Sequence, residues 1–123
     1  MKLHSDPRSG QHHVTGYGAG WVAINGRRYE RSLLLLPDRI VADWGPESPE
    51  ALTEAHLASL AALTGTVLLL GTGVRQRFPA PPLLRPLVAA GIGVEVMDTG
   101  AACRTYNILV AEGRAVAAAL IVE

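Results

Sequence analysis

The sequence has one cysteine, Cys103, one lysine, Lys2, and no net charge. Each scarcity excludes something. A single cysteine rules out an intrachain disulfide and fits a reducing compartment. The 11 basic and 11 acidic residues cancel. Without a basic excess there is no electrostatic footprint for nucleic acid, and none for an anionic membrane surface. No segment reaches the ~20 apolar residues that a membrane helix needs; the longest apolar run, residues 115–122, has eight. Residues 1–7 have no apolar core, so no secretory signal is expected, and no membrane insertion. These absences together point to the cytoplasm. All basic residues but Lys2 are arginine, a bias expected of a GC-rich bacterial genome.

What is present is ordinary globular composition, 49% apolar and 18% charged. At 123 residues the chain has the size of one domain. It buries roughly two thirds of its unfolded surface, so neither metal nor disulfide is required for folding. Residues 1–12 are polar, carry Pro7 and Gly10, and read as a flexible tail. Residues 13–123 read as a single α/β domain, with no internal repeat or low-complexity segment.

Short strands are expected over 13–18 and 20–25. Asn25-Gly26 is a two-residue hairpin signal, because both central positions of that turn need positive φ. The partner strand runs over 28–36 and stops at Pro37-Asp38, and another follows over 39–44. The first third is thus expected to be one antiparallel meander. Ser48-Pro49-Glu50 then predicts a helix start: a capping side chain, a proline suited to the first position, and an acid at the positive end of the dipole. Leu52, Ala55, Ser59, Leu60 and Leu63 share its inner face with His56, and Gly65 stops it. Residues 66–70 form a continuously apolar run, the pattern of a strand covered on both faces. A second helix is expected over 81–90, with Pro86 in its early turns, and a second buried strand over 92–97. A third helix starts at Asp98-Thr99 and ends before Gly113, and a last strand covers 114–122. Strand, helix, strand, helix, strand argues for α/β layering with a largely parallel sheet. The direction of the last strand is left open by the pattern.

Few residues carry chemistry. Gly71, Thr72 and Gly73 follow the first buried strand, where ligands of open α/β sheets often sit. Their dinucleotide fingerprint fails, because Gln76 stands three positions after Gly73 where a third glycine belongs. No Gly-Lys-Ser/Thr phosphate loop exists either. The segment reads first as a tight turn and alternatively as an anion loop, for which Arg75 and Arg77 would supply charge. Asp98 and Thr99 read as a helix cap, or as polar groups lining the same crevice. Cys103 lies one turn into the third helix beside Arg104, with Asn107 one turn on. A nucleophilic cysteine needs a base nearby, and His4, His12, His13 and His56 offer none. Cys103 therefore reads as a small buried residue, with a reactive thiol as the alternative. The histidines lack zinc-ligand spacing, so no metal is expected. His56 reads as an edge-of-core residue. On the third helix Ala102, Tyr106, Leu109 and Val110 form one apolar face while Ala101 and Ile108 lie opposite. Such a helix is either sandwiched between layers or offers a surface to a partner.

Several blocks together carry a resemblance: Val67-Leu-Leu-Leu-Gly-Thr-Gly, Gly91-Ile-Gly-Val-Glu-Val-Met-Asp-Thr, Ala102-Cys-Arg-Thr-Tyr-Asn-Ile-Leu, Glu112-Gly-Arg and Ala117-Ala-Ala-Leu-Ile. With Gly16-Tyr-Gly and the stretch from Tyr29 to Pro37, they resemble a domain-of-unknown-function family over about residues 13–122. That family includes mitochondrial complex I assembly factor three and an adipogenesis-associated protein. The resemblance implies a three-layer α/β fold: a central mixed sheet, helices, and an additional N-terminal β-hairpin layer. It implies a last strand antiparallel to the others, and it brings neither catalytic residues nor a cofactor. Two functions follow as expectations. The first is a non-enzymatic interaction or assembly module with a protein partner. The alternative is a small-molecule binder or enzyme using a crevice formed by Gly71, Thr72, Gly73, Arg75, Asp98, Thr99, Cys103 and Asn107.

Overall fold

A computed structural model describes residues 10–123. His4 and most of the expected tail lie outside the described residues. His12 is bonded on both sides: its N–H donates to the Pro37 carbonyl, and its own carbonyl accepts from the Tyr106 hydroxyl.

Two sheets form. Strands β1 (Val14–Gly18), β2 (Trp21–Ile24) and β3 (Arg27–Tyr29) make a small antiparallel meander. Asn25 (φ 50°) and Gly26 (φ 84°) form its second turn, as the dipeptide predicts. The larger sheet has five strands in the order β5-β4-β8-β6-β7. These are β4 (Leu33–Leu36), β5 (Arg39–Val41), β6 (Val67–Gly71), β7 (Val94–Met97) and β8 (Val116–Leu120).

The strand expected over 28–36 is therefore two strands in two sheets, and the first third is not one meander. The break falls at Glu30, Arg31 and Ser32, where the chain changes sheet. Ser32 pins the crossing: its buried hydroxyl donates to Pro46 O at 2.5 Å and accepts the Val122 N–H at 3.0 Å. The strand expected over 39–44 also ends early, because the Trp44 N–H turns back to the Val41 carbonyl.

The apolar run of β6 is covered on both faces, as expected, and β4 and β8 are covered in the same way. Leu33 and Leu35, Leu69, and Val116, Ala118 and Leu120 point into one core. Leu34 and Leu36, Leu68 and Leu70, and Ala117, Ala119 and Ile121 point into the other. The first core is closed by helix α3 (Thr99–Ala111) and the small sheet, through Val14, Val22 and Ile24. The second is closed by helices α1 (Glu54–Ala58) and α2 (Arg85–Ala89) with the 3-10 turns before them. The result is the mixed, layered α/β architecture with an extra N-terminal β layer.

Three further expectations are corrected. The first helix begins at Thr53, not Ser48. Residues 49–51 form a separate 3-10 turn, and Leu52 is extended, with ψ 130°. Thr53 supplies the cap with His56: the Thr53 Oγ1 accepts the His56 N–H, and His56 Nδ1 accepts the Thr53 N–H at 3.0 Å. The strand over 92–97 is an edge strand, paired only with β6, so its residues are half-covered. The last strand is not antiparallel to the others. It lies in the middle of the sheet, parallel to β6 and antiparallel to β4. The 13-residue helix α3 returns the chain across the sheet after β7, and a helical crossover brings the next strand back in the same direction.

Candidate functional site

β6 ends at Gly71 beneath the first turn of α3. A Cβ on Gly71 would stand 2.9 Å from Thr99 Cα and 3.2 Å from Ala102 Cβ, so glycine here sets how closely the helix lies on the sheet. The chain then turns through residues 72–79. Thr72 is buried; its N–H donates to Met97 O, and its Oγ1 accepts the Arg77 N–H at 3.0 Å. The Thr72 hydroxyl lies 2.7 Å from Arg75 O, to which it donates. Gly73 has φ +92°, and its N–H donates to Thr99 Oγ1 at 2.8 Å. The Thr99 hydroxyl in turn donates to Ile121 O at 2.7 Å. The Val74 N–H donates to the Glu123 carboxylate at 3.1 Å. Asp98 caps α3 by accepting the Ala101 N–H at 2.8 Å.

A cleft of about 230 Å³ opens at this end of the sheet. Of the residues expected there, it gathers Gly73, Asp98 and Thr99, joined by Tyr17, Trp21 and Glu123. Gly71, Thr72, Arg75, Cys103 and Asn107 do not line it. Arg75 is exposed, and Arg77 pairs with Glu50. Neither offsets the negative charge of Asp98 and Glu123 in the cleft. The backbone N–H groups of Thr72, Gly73, Val74 and Arg77 already donate to the chain itself. A helix N-terminus and a glycine loop favour an anion only when such donors are open. Here the chain's own carboxylates take that place.

Cys103 sits in the core under α3, 1% exposed. Burial pushes its thiol up to about 12, against the opposing pull of Arg104 and with a smaller push from Asp98. The thiol is thus protonated and enclosed, the reverse of an activated nucleophile. Asn107 spends its amide on the Val14 backbone, accepting from the N–H and donating to the carbonyl, both at 2.8 Å. α3 is packed on the sheet side through Ala102, Cys103, Tyr106 and Val110 and flanked by β1, while Ile108 faces out. Among the described residues, no three histidine, cysteine or acidic side chains are placed to hold a metal ion.

Sequence reasoning missed Tyr17, Trp21 and Glu123. They come from the small sheet and from beyond β8, far in sequence from the glycine loop. One local signal pointed at Trp21. Gly16 and Gly18 leave its indole room to lie on β1, and a Cβ on Gly18 would meet the ring nitrogen at 2.5 Å. Two more hollows adjoin. One, about 480 Å³, shares Val122 and Glu123 with the cleft and is walled by Trp44. The other, about 200 Å³, lies between Leu52, Leu83 and Phe78. Phe78 is 75% exposed and Val74 61%.

Residues 14–121 match a family model described as a protein of unknown function (DUF498/DUF598). The Bos taurus NADH dehydrogenase (ubiquinone) 1 alpha subcomplex assembly factor 3 is 35% identical over 111 residues, 89% of this chain. The chain spans about 60% of the length of that protein. A crystal structure of a Bordetella parapertussis protein is 44% identical, covers 95% of this chain and 100% of its own, and superposes with a TM-score of 0.84. A solution structure of a Mth938-like domain from Bordetella pertussis is 39% identical, with coverage of 98% and 92% and a TM-score of 0.79. The blocks that carried the resemblance all fall within the matched span.

Proposed function

The chain belongs to the DUF498/DUF598 family of proteins of unknown function, and from that premise we propose that it is a non-enzymatic protein-interaction module of the assembly-factor kind, acting in a bacterial cytoplasm. The observation that carries the reading is Phe78. An aromatic side chain 75% exposed beside an apolar hollow is the form of an interface anchor. Val74 extends the apolar surface along the same loop. The polar groups that an enzyme would present are instead consumed internally at Thr72, Gly73, Val74 and Asp98. By analogy with the assembly-factor relatives, the proposed partner is a subunit of an NADH dehydrogenase, held before its assembly is complete.

The test is a photo-crosslinking residue at position 78, with one at Glu95 on the sheet edge as the control. Crosslinking from 78 to a defined subunit is expected. Phe78→Ser should lower recovery of that subunit at least tenfold, equivalent to about 1.4 kcal/mol, at an unchanged melting temperature. Full recovery with Phe78→Ser would sink the reading.

A small-molecule binder or enzyme is the second reading, favoured by the cleft that does hold Gly73, Asp98 and Thr99 together. Loss of biological activity in Asp98→Asn, with partner recovery intact, would favour it.

A further inference from the structure

The cleft and its larger neighbour adjoin across Val122 and Glu123, and the pair together is the trough. Five carboxylates line it: Asp98 and Glu123 in the cleft, and Glu30, Asp43 and Glu47 in the neighbour with Glu123 again. These are five of the 11 acidic residues of a chain with no net charge. Among the lining residues, Arg31 alone opposes them. The walls also carry Tyr17, which is exposed, and Trp21, with Trp44 and Val122, both buried. Two rings at this end already receive guanidinium groups from the chain. Arg28 lies 4.5 Å from the Trp21 ring and Arg104 5.7 Å from the Tyr17 ring. Arg28 also stands 3.4 Å from Glu30 and Arg104 interacts with Asp98, so these two carboxylates are partly offset, and neither arginine lines the trough.

We propose that this trough docks an extended basic segment of a protein partner, its lysine or arginine stems along the wall at Tyr17 and Trp21 and its charged heads at the carboxylates, the exposed Asp43 and Glu47 first. The inference rests on the interaction-module reading and gives the partner's chemistry. Three properties of the trough meet in one kind of occupant. Long basic side chains bury an apolar stem and keep a charged tip. Guanidinium and ammonium groups are attracted to aromatic faces. A surface of one sign speeds encounter with a partner of the other and rejects like charge. An acidic or phosphorylated segment is excluded by the same carboxylates.

Trp21 lines the cleft, so its indole N–H signal reports on the trough, while the Trp44 indole N–H, bonded to His56 O and Ser59 Oγ, serves as an internal reference. The intact protein, labelled with nitrogen-15, is titrated with a synthetic peptide of alternating arginine and alanine. Peptides of alternating glutamate and alanine, and of serine and alanine, are the controls. A saturable shift of the Trp21 indole is expected with the arginine peptide alone. Raising the salt from about 50 to about 500 mM should weaken binding, because exposed charges are screened. Asp43→Asn with Glu47→Gln, at two exposed side chains, should weaken it at least about threefold. Equal shifts from the serine peptide, no saturable shift, or an unchanged affinity in the double variant would overturn the proposal. Failure here with Phe78-dependent capture intact would leave the interaction reading standing. Arginine-peptide binding with Phe78-independent capture would uphold the trough and move the docking surface away from Phe78.

Discussion

Asn107 pairs with Val14 as though its side chain were a strand residue. The amide oxygen accepts the Val14 N–H and the amide nitrogen donates to the Val14 carbonyl, each at 2.8 Å, across 93 positions of sequence. This bond ties the first strand of the small sheet to the helix on the large one. Asn107→Asp keeps the shape but sets a carboxylate against the Val14 carbonyl. A stability loss of about 1–3 kcal/mol is expected by chemical denaturation, since a part-buried acceptor is left without its donor. Hydrogen exchange at the Val14 amide locates the effect. Native-like stability in this variant would remove the tie from the account of the fold.

Gly71→Ala should strain the seat of α3. The added Cβ meets Thr99 Cα at 2.9 Å, which is backbone and cannot rotate away. A cost of about 1–3 kcal/mol is expected for overpacking at such a site. Adding Ala102→Gly should recover only part of it, because Thr99 remains in place. Complete recovery in the double variant would show that the helix seat yields.

Gly26→Val isolates backbone strain. Nothing stands within 4 Å of the new Cβ, but φ is +84°. A β-branched residue held there should cost about 1–2 kcal/mol, read as a lowered melting temperature. An unchanged melting temperature would mean that the hairpin turn rearranges freely.

Alkaline pH should destabilise the protein through Cys103 and Tyr106. Burial raises the thiol from its ordinary 9.0 to about 12, and burial also raises the Tyr106 phenol above 10.0. Between pH 9 and 12 the unfolded chain releases the thiol proton while the native chain keeps it. The unfolded state then binds fewer protons, so stability falls as pH rises, by at most about 1.4 kcal/mol per pH unit for each group. That stability is fully present below pH 9. Denaturation series from pH 8 to 11 should show the decline, and Cys103→Ala should flatten it. Native alkylation of Cys103 should stay slow over the same range. Rapid stoichiometric labelling at neutral pH would contradict the burial.

Titration with NAD or ATP at millimolar concentration should leave the amide signals of residues 71–74 in place. Their donors are engaged and two carboxylates face the cleft. A saturable shift abolished by Gly73→Val would bring the crevice back to the centre of function.

Much of this was legible in particular residues. The leucines of β6 announced a strand buried on both sides, because an apolar run without alternation suits cover on both faces. Asn25-Gly26 announced its turn, and Asp98 its cap. Other features had no local mark. Ser48-Pro49-Glu50 carries every sign of a helix start, yet Leu52 is extended and Thr53 caps instead. The chain at Glu30, Arg31 and Ser32 changes sheet because Ser32 bonds to Pro46 and Val122, neither visible from its neighbours.

The amino-acid sequence by itself determined where most helices and strands lie, the layered α/β class and the family, because side-chain periodicity, caps and turn residues act within a few positions of themselves. Only the tertiary structure decided that β8 enters between β4 and β6, and that Glu123 closes the glycine loop against Val74. Pairing order and the company of a carboxylate depend on where a crossover helix sets the chain down. That is fixed by burial across many tens of residues, as when the missing side chain of Gly71 lets α3 settle on the sheet.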